Sequence, residues 1–219
     1  MAEIEAHDEA VVEWFDELSQ TEWERASVVI DRLAGLGSQA RMPFSRSLGD
    51  GLFEIRFTLG STVRRITYRF TGDGRIILLT TFREQRNNER AEVVRARNIA
   101  EDCAKRNPWK ETTMANYSRW EDIKKTKGEP SAEARAGVEQ ELDLGQLIYD
   151  LRTEAGLSQR ELAERMGTTQ SVISRLEEGG GARNRIDTLA RVATALDRHL
   201  VLSFPAEVPD KLTDAVQVA

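Results

Sequence analysis

The chain has little cysteine and little histidine. Cys103 is the one cysteine in 219 residues, so no disulfide can form within a chain. Such sparse use fits a reducing compartment, and the cytoplasm is the expected location. The two histidines, His7 and His199, lie far apart. With one cysteine they leave no recognisable zinc-ligand spacing, so neither a metal nor any other cofactor is expected. No apolar run approaches the length of a membrane span. The opening residues, MAEIEAHDEAVVEWFDEL, are acidic and lack the basic-then-apolar order of a signal peptide. There is no glycine-rich phosphate loop and no internal repeat. What remains is a chain long enough for two domains.

Charge is unevenly spread. Residues 1–49 hold 4 Lys+Arg against 10 Asp+Glu, residues 50–113 hold 13 against 9, and residues 114–219 hold 14 against 18. The basic middle is almost all arginine. Arginine stays charged and forks onto phosphate, so the block points to a polyanionic partner. A solvated surface paired with the acidic first helices explains the same charges equally well.

Val11, Val12, Phe15 and Leu18 fall at helical spacing, as do Val28, Val29, Leu33 and Leu36. Two amphipathic helices are expected, ending at Gly35-Leu36-Gly37. The period then changes to two. In GLFEIRF, Phe53, Ile55 and Phe57 point one way and Leu52, Glu54 and Arg56 the other. Leu59-Gly60-Ser61 makes a turn. In TVRRITYRF, Arg64, Ile66, Tyr68 and Phe70 share one face, and Val63, Arg65, Thr67 and Arg69 the other. Gly72-Asp73-Gly74 signals a hairpin. RIILLTTF is a nearly continuous apolar strand, hence central, and a helix with Val93, Ala96, Ala100 and Cys103 inward follows it. The order α-α-β-β-β-α predicts a small α+β domain with an antiparallel sheet.

Arg56, Arg64, Arg65 and Arg69 lie on two adjacent strands, and such a sheet, covered by helices on one face, can gather several of the arginines in its open concavity. Arg83 and Arg86 lie just past the third strand. Clustered guanidinium groups repel, and a nucleic-acid backbone relieves that repulsion. Without a metal or a well-placed histidine, RNA cleavage here would use the substrate's own 2′-hydroxyl as nucleophile. The protein would supply positioning and charge stabilisation. Tyr68, the one tyrosine of this half, is the candidate to give or take a proton. The simpler reading of Tyr68 is an ordinary aromatic strand residue.

SLGDGLFEIRF, RRITYRF and ILLTTFREQRNNE, in that order and spacing, resemble the Gp49-like, HigB-type branch of RelE-fold toxins. The resemblance covers nearly all of residues 10–106. It implies a ribosome-dependent endoribonuclease that cuts mRNA in the decoding site without a metal. Arg56 matches the arginine of the family's LFELR segment, and Arg64 or Arg65 its basic strand position. Phe82-Arg83-Glu84-Gln85 matches its F-R-K-x motif. Glu84 stands where the family usually carries lysine, and an acid beside a phosphate site repels the substrate. The residues and the resemblance together give an expected catalytic set of Arg56, Arg64, Arg65, Tyr68, Arg83 and Arg86, latent or inactivated by Glu84; Tyr68 and Arg86 enter it from residue type and position alone.

The second half carries a different signal. Leu144, Leu147, Ile148 and Leu151 predict a helix stopped by Ala155-Gly156. Ser158 then caps a helix, with Glu161 three residues on as in a capping box. Leu162, Ala163 and Met166 face inward, and Gly167 takes the turn. A second helix runs from Thr169 with Ile173 and Leu176 inside. The Ala-x3-Gly-x5-Ile-x2-Leu spacing is that of a helix-turn-helix. About residues 142–197 closely resemble the Cro/repressor-type, HigA-like antitoxin domain. In that geometry Thr169, Gln170, Ser171, Ser174 and Arg175 face the major groove of operator DNA. Gln170 can bond an adenine edge in two places, Arg175 can reach guanine or phosphate, and Gln159 suits a backbone phosphate. Arg183 and Arg185 would add phosphate contacts. HLVLSF predicts a short terminal strand that pairs between copies or packs onto its own domain, and a homodimer or larger assembly is expected.

Between the halves, residues 108–141 are highly charged yet contain Trp109, Tyr117, Trp120 and Ile123. Tryptophan is expensive to leave in water, so this segment is expected to dock its aromatics onto the first half, covering or distorting the basic concavity. A passive linker is the other reading. Met114-Ala115-Asn116 reads like a start, so the chain reads as toxin and antitoxin joined end to end. The expected parts are 1–107, a toxin domain; 108–141, a docking junction; and 142–219, a DNA-binding antitoxin domain. Expected partners are operator DNA, ribosome-bound mRNA and the other part of the same module. The competing reading is a DNA-binding regulator carrying a dead RNase-fold module, and Glu84 is its main support.

Overall fold

The computed structural model describes residues 2–7, 9–84, 89–106, 118–180 and 186–202. The chain divides into two compact units, Met1–Glu139 and Gln140–Ala219. In chain order the first unit contains β1 (Ile4–Ala6), α1 (Glu9–Glu17), α2 (Gln20–Leu36), β2 (Ser45–Gly49), β3 (Leu52–Leu59), β4 (Thr62–Phe70), β5 (Ile76–Arg83), α3 (Glu89–Arg106), β6 (Ser118–Arg119) and α4 (Trp120–Lys127). The boundary falls inside α5 (Ala132–Glu154).

The period-two residues form β3, β4 and β5, an antiparallel core with Phe53 opposite Tyr68 and Arg56 opposite Arg65. Gly60 takes φ 57 at the β3–β4 turn, where a side chain would be strained. β5 is central, as its apolar run requires, with Ile76 to Thr80 all buried. The sheet is larger than expected and is mixed, in the order β2-β3-β4-β5-β1-β6. β1 runs parallel to β5, and β2 and β6 are additional antiparallel edges. The expected all-antiparallel sheet is corrected on this point. β1 and β6 have three and two residues, too few to show a period, and β2 is mostly exposed. α1 and α2 contribute Val11, Phe15, Trp23, Val29, Ile30 and Leu33 to the core. α3 packs on Leu52, Ile77 and Leu79 through Ala96, with Val93 and Ala100 alongside.

The second unit holds the rest of α5, then α6 (Gln159–Arg165), α7 (Gln170–Glu177) and α8 (Ile186–Ala195). Its core is Ile148, Leu162, Ala163, Met166, Ile173, Leu176, Val192 and Leu196. Ser158 caps α6 in a full capping box with Glu161. Gly167 turns the chain at φ 61, and Thr169 is the N-cap of α7. α5 reaches further back than Leu144 because its first turns are rich in Ala and Glu, good helix formers. No strand forms at His199–Leu202, and the rest of the expected terminal strand lies outside the described residues.

Candidate nucleic-acid interfaces

Strand alternation splits the arginines that were expected to gather. Cross-strand partners share a face, so Arg56, Arg65, Thr67 and Glu54 lie together on one side of the sheet. Arg64 and Arg83 are paired on the other side. There the Arg64 guanidinium lies over the Trp14 ring, 5.3 Å from its centroid. Burial, and then the neighbouring Arg83 charge, lower its pKa. Tyr68 shares that opposite face. It is fully buried, its hydroxyl 2.6 Å from Ser45 Oγ and its ring stacked on Phe53. Burial raises the phenol pKa, so Tyr68 stands here as a core aromatic rather than an exposed acid or base. Arg69 donates to the Ala100 carbonyl of α3. Arg86 lies outside the described residues.

What the sheet does bring together, among the described residues, is an ionic cluster of Glu54, Arg56, Arg65 and Glu84. Glu54, with no exposed side-chain surface, accepts from Arg56 Nε at 2.9 Å and faces Arg65 Nη1 at 3.4 Å. Glu84 accepts from Arg65 Nη2 at 2.7 Å. Arg65 is 2% exposed and Glu84 is 41% exposed. Glu84 therefore holds the central arginine of the face. Glu54 was not singled out from sequence, although its position two residues before Arg56 on an alternating strand puts it on the same face.

Trp120 is buried where the sequence suggested docking, but not over the arginines. Its ring packs against Phe15 and Trp23 at 5.3 and 5.4 Å, and its indole N–H donates to Asp31 at 2.8 Å. Asp31 also receives Arg135 at 2.8 Å and lies 3.4 Å from Lys124. Trp23 in turn donates to the Gly128 carbonyl, and β6 adds to β1 at the sheet edge. Residues 118–139 thus belong to the first unit, with β6 at the sheet edge and Trp120 and Arg135 against α1 and α2. The expectation of a cover over the basic concavity is corrected for these residues. An indole needs an apolar bed and an acceptor, and the α1–α2 pair supplies both. Trp109 and Tyr117 lie outside the described residues.

In the second unit, Thr169, Gln170, Ser171 and Arg175 are exposed at and along α7, and Ser174 bonds Glu178. Gln170 donates to Gln159 at 2.7 Å, and Gln159 donates to Glu177 at 2.8 Å. Glu177 is 2% exposed and forms a fork with the buried Arg152. The two candidate DNA-reading glutamines are therefore held by a buried ion pair that joins α5 to α7. Gly145 permits that approach, since a Cβ there would lie 2.4 Å from the Glu177 carbonyl oxygen. Arg183 and Arg185 lie outside the described residues. Neither the Arg152–Glu177 pair nor Gly145 had a local sequence signal, because each depends on helices meeting in space.

Residues 13–103 match the family model described as phage-derived protein Gp49-like, and residues 148–202 match the helix-turn-helix family model. The chain thus carries a Gp49-like domain followed by a helix-turn-helix domain. Searches of the curated proteins and of the solved structures find no match to the chain. The Gp49-like domain carries the Arg56–Glu54–Arg65–Glu84 cluster, and the helix-turn-helix domain carries the glutamine relay. Among the described residues, no helix is long and apolar enough to cross a membrane.

Proposed function

We propose that the chain is a type II toxin–antitoxin module of the HigB–HigA kind in one polypeptide. Its Gp49-like domain is a metal-independent endoribonuclease for ribosome-bound mRNA. Its helix-turn-helix domain acts in the cytoplasm as the repressor of its own operon and binds operator DNA as a homodimer or larger assembly. The observation that carries this reading is the order of the two family matches, toxin type first and helix-turn-helix second. The junction supports it: residues 118–139 are built into the first unit through Trp120 and Asp31, so the second unit is tethered directly to the domain it would neutralise. The test is cleavage of ribosome-bound mRNA by residues 1–139 and by the full chain, both with Glu84→Lys. Cleavage by the shorter chain and silence of the longer supports neutralisation by the second unit. Equal activity of the two would refute it.

One observation favours a second reading. Glu84 and Glu54 already pair with Arg56 and Arg65 on the sheet face. A DNA-binding regulator with a catalytically dead module would look the same. Operator binding serves both readings: a protected palindrome with half-sites about 34–36 Å apart is expected in its promoter.

A further inference from the structure

Arg56 and Arg65 are cross-strand neighbours, so two positive charges sit side by side on one sheet face. Two carboxylates balance them, and the two are not alike. Glu54 is fully buried within β3 and touches both arginines at 2.8 and 3.4 Å. It cannot leave without moving the strand. Glu84 lies one residue past the end of β5 and is 41% exposed. Its backbone N–H still bonds the Val63 carbonyl at 3.0 Å, so the main chain is anchored while the side chain reaches over Arg65. Arg65 itself is 2% exposed, so an external anion reaches it only when Glu84 moves aside.

We propose that Arg65, flanked by Arg56, is a single-phosphate site that the chain fills with its own Glu84, while Glu54 is the fixed counter-ion. A phosphodiester carries one negative charge and two oxygens that suit the guanidinium fork, as a carboxylate does. Exchanging it for Glu84 replaces one single negative charge on Arg65 by another. The ligand is the backbone of single-stranded RNA, and this inference rests on the reading of the Gp49-like domain as RNA-directed. Glu84 is then an internal competitor, which differs from simple repulsion: its effect acts through Arg65 and disappears without it. Glu54 is a positioning residue, so losing its charge harms the site.

The test measures binding of a short, fully 2′-O-methylated oligoribonucleotide, which has no free 2′-hydroxyl to support cleavage. The protein is the full chain with Gln170→Ala and Arg175→Ala, to suppress binding at the helix-turn-helix. Glu84→Gln should tighten binding about tenfold, the scale of one charge-assisted contact. It should also steepen the slope of log K against log salt by about 0.7, the single-strand value for one more phosphate. Glu54→Gln should weaken binding although it removes the same charge. Arg65→Gln should erase the gain from Glu84→Gln. No gain with Glu84→Gln, a gain that survives Arg65→Gln, or equal gains from both Gln variants would each overturn the proposal. If Glu54→Gln fails to fold in a thermal melt, the Arg65 and Glu84 cycle alone decides. Tighter binding by the full chain, together with no mRNA cleavage by residues 1–139 carrying Glu84→Lys, would defeat the ribonuclease reading and leave this site standing.

Discussion

The indole N–H of Trp120 donates to the Asp31 carboxylate at 2.8 Å across 89 residues of chain. The bond ties the segment after the Gp49-like domain to α2 inside one folded unit. Phe15 and Trp23 form the apolar bed, and Lys124 and Arg135 balance the Asp31 charge. The arginine face of the sheet plays no part in this contact.

Trp120→Ala should therefore act on stability of the first unit. Removing a buried tryptophan costs about 3–5 kcal/mol. A urea titration of the full chain should show the first unit unfolding at a lower midpoint. An unchanged midpoint would mean that the segment does not dock there.

Gly145→Ala and Gly137→Ala lie in the same helix and should have opposite effects. At Gly145 the added methyl would meet the Glu177 carbonyl at 2.4 Å and its carbon at 2.9 Å, both backbone atoms that cannot swing away. The helix-turn-helix unit should lose about 1–3 kcal/mol, as over-packed sites do, and operator affinity should fall with it. At Gly137 nothing lies within 4 Å of the added methyl, so alanine should stabilise by about 0.5–1 kcal/mol through helix propensity. Equal effects at the two sites in denaturant titrations would contradict the close crossing.

The contrast between these glycines marks what the sequence could and could not say. Phe53, Ile55, Arg64 and Tyr68 were assigned to the right faces because a strand's period is local. Leu162, Ala163, Gly167, Ile173 and Leu176 fell into place for the same reason, as a spacing within one motif. Their outcome for the arginines was also legible: alternation already separated Arg64 from Arg65, although the two were expected in one concavity. β1 was not legible, because a three-residue strand acquires its identity only from β5 beside it. Glu84 was read as a repellent, whereas its partner Arg65 lies 19 residues away and meets it only through strand pairing.

Arg152→Met should test the support beneath the candidate DNA-reading glutamines, Gln159 and Gln170. It leaves Glu177 buried without its guanidinium partner, at a cost of about 3–5 kcal/mol. Gln159 would lose its fixed acceptor and Gln170 its orientation. Operator binding should weaken at concentrations where circular dichroism still shows folded helices. Gln170→Ala alone should relax discrimination at one base by about 1–3 kcal/mol. Unchanged base preference in that variant would remove Gln170 from the reading surface.

Acid should loosen the first helix of the helix-turn-helix. Bonds from the Ser158 hydroxyl and then its backbone N–H hold the Glu161 carboxyl below its ordinary pKa. A carboxyl lowered in the folded state stabilises above the unfolded value, about 4.3 for glutamate. That contribution disappears as pH falls through the lowered folded value. Glu161→Ala should flatten the melting temperature of the second unit against pH in this acid range. An identical profile in variant and parent would contradict the capping role.

Cleavage of ribosome-bound mRNA in a purified translation mixture tests most directly whether the first unit is a ribonuclease closed by Glu84. The three proteins are residues 1–139, the same with Glu84→Lys, and the same with Glu84→Lys and Arg56→Ala. The expected result is weak cleavage by the first, strong cleavage by the second and none by the third. Contradiction would be a folded Glu84→Lys protein that cuts no more than its parent, or one whose activity survives the loss of Arg56.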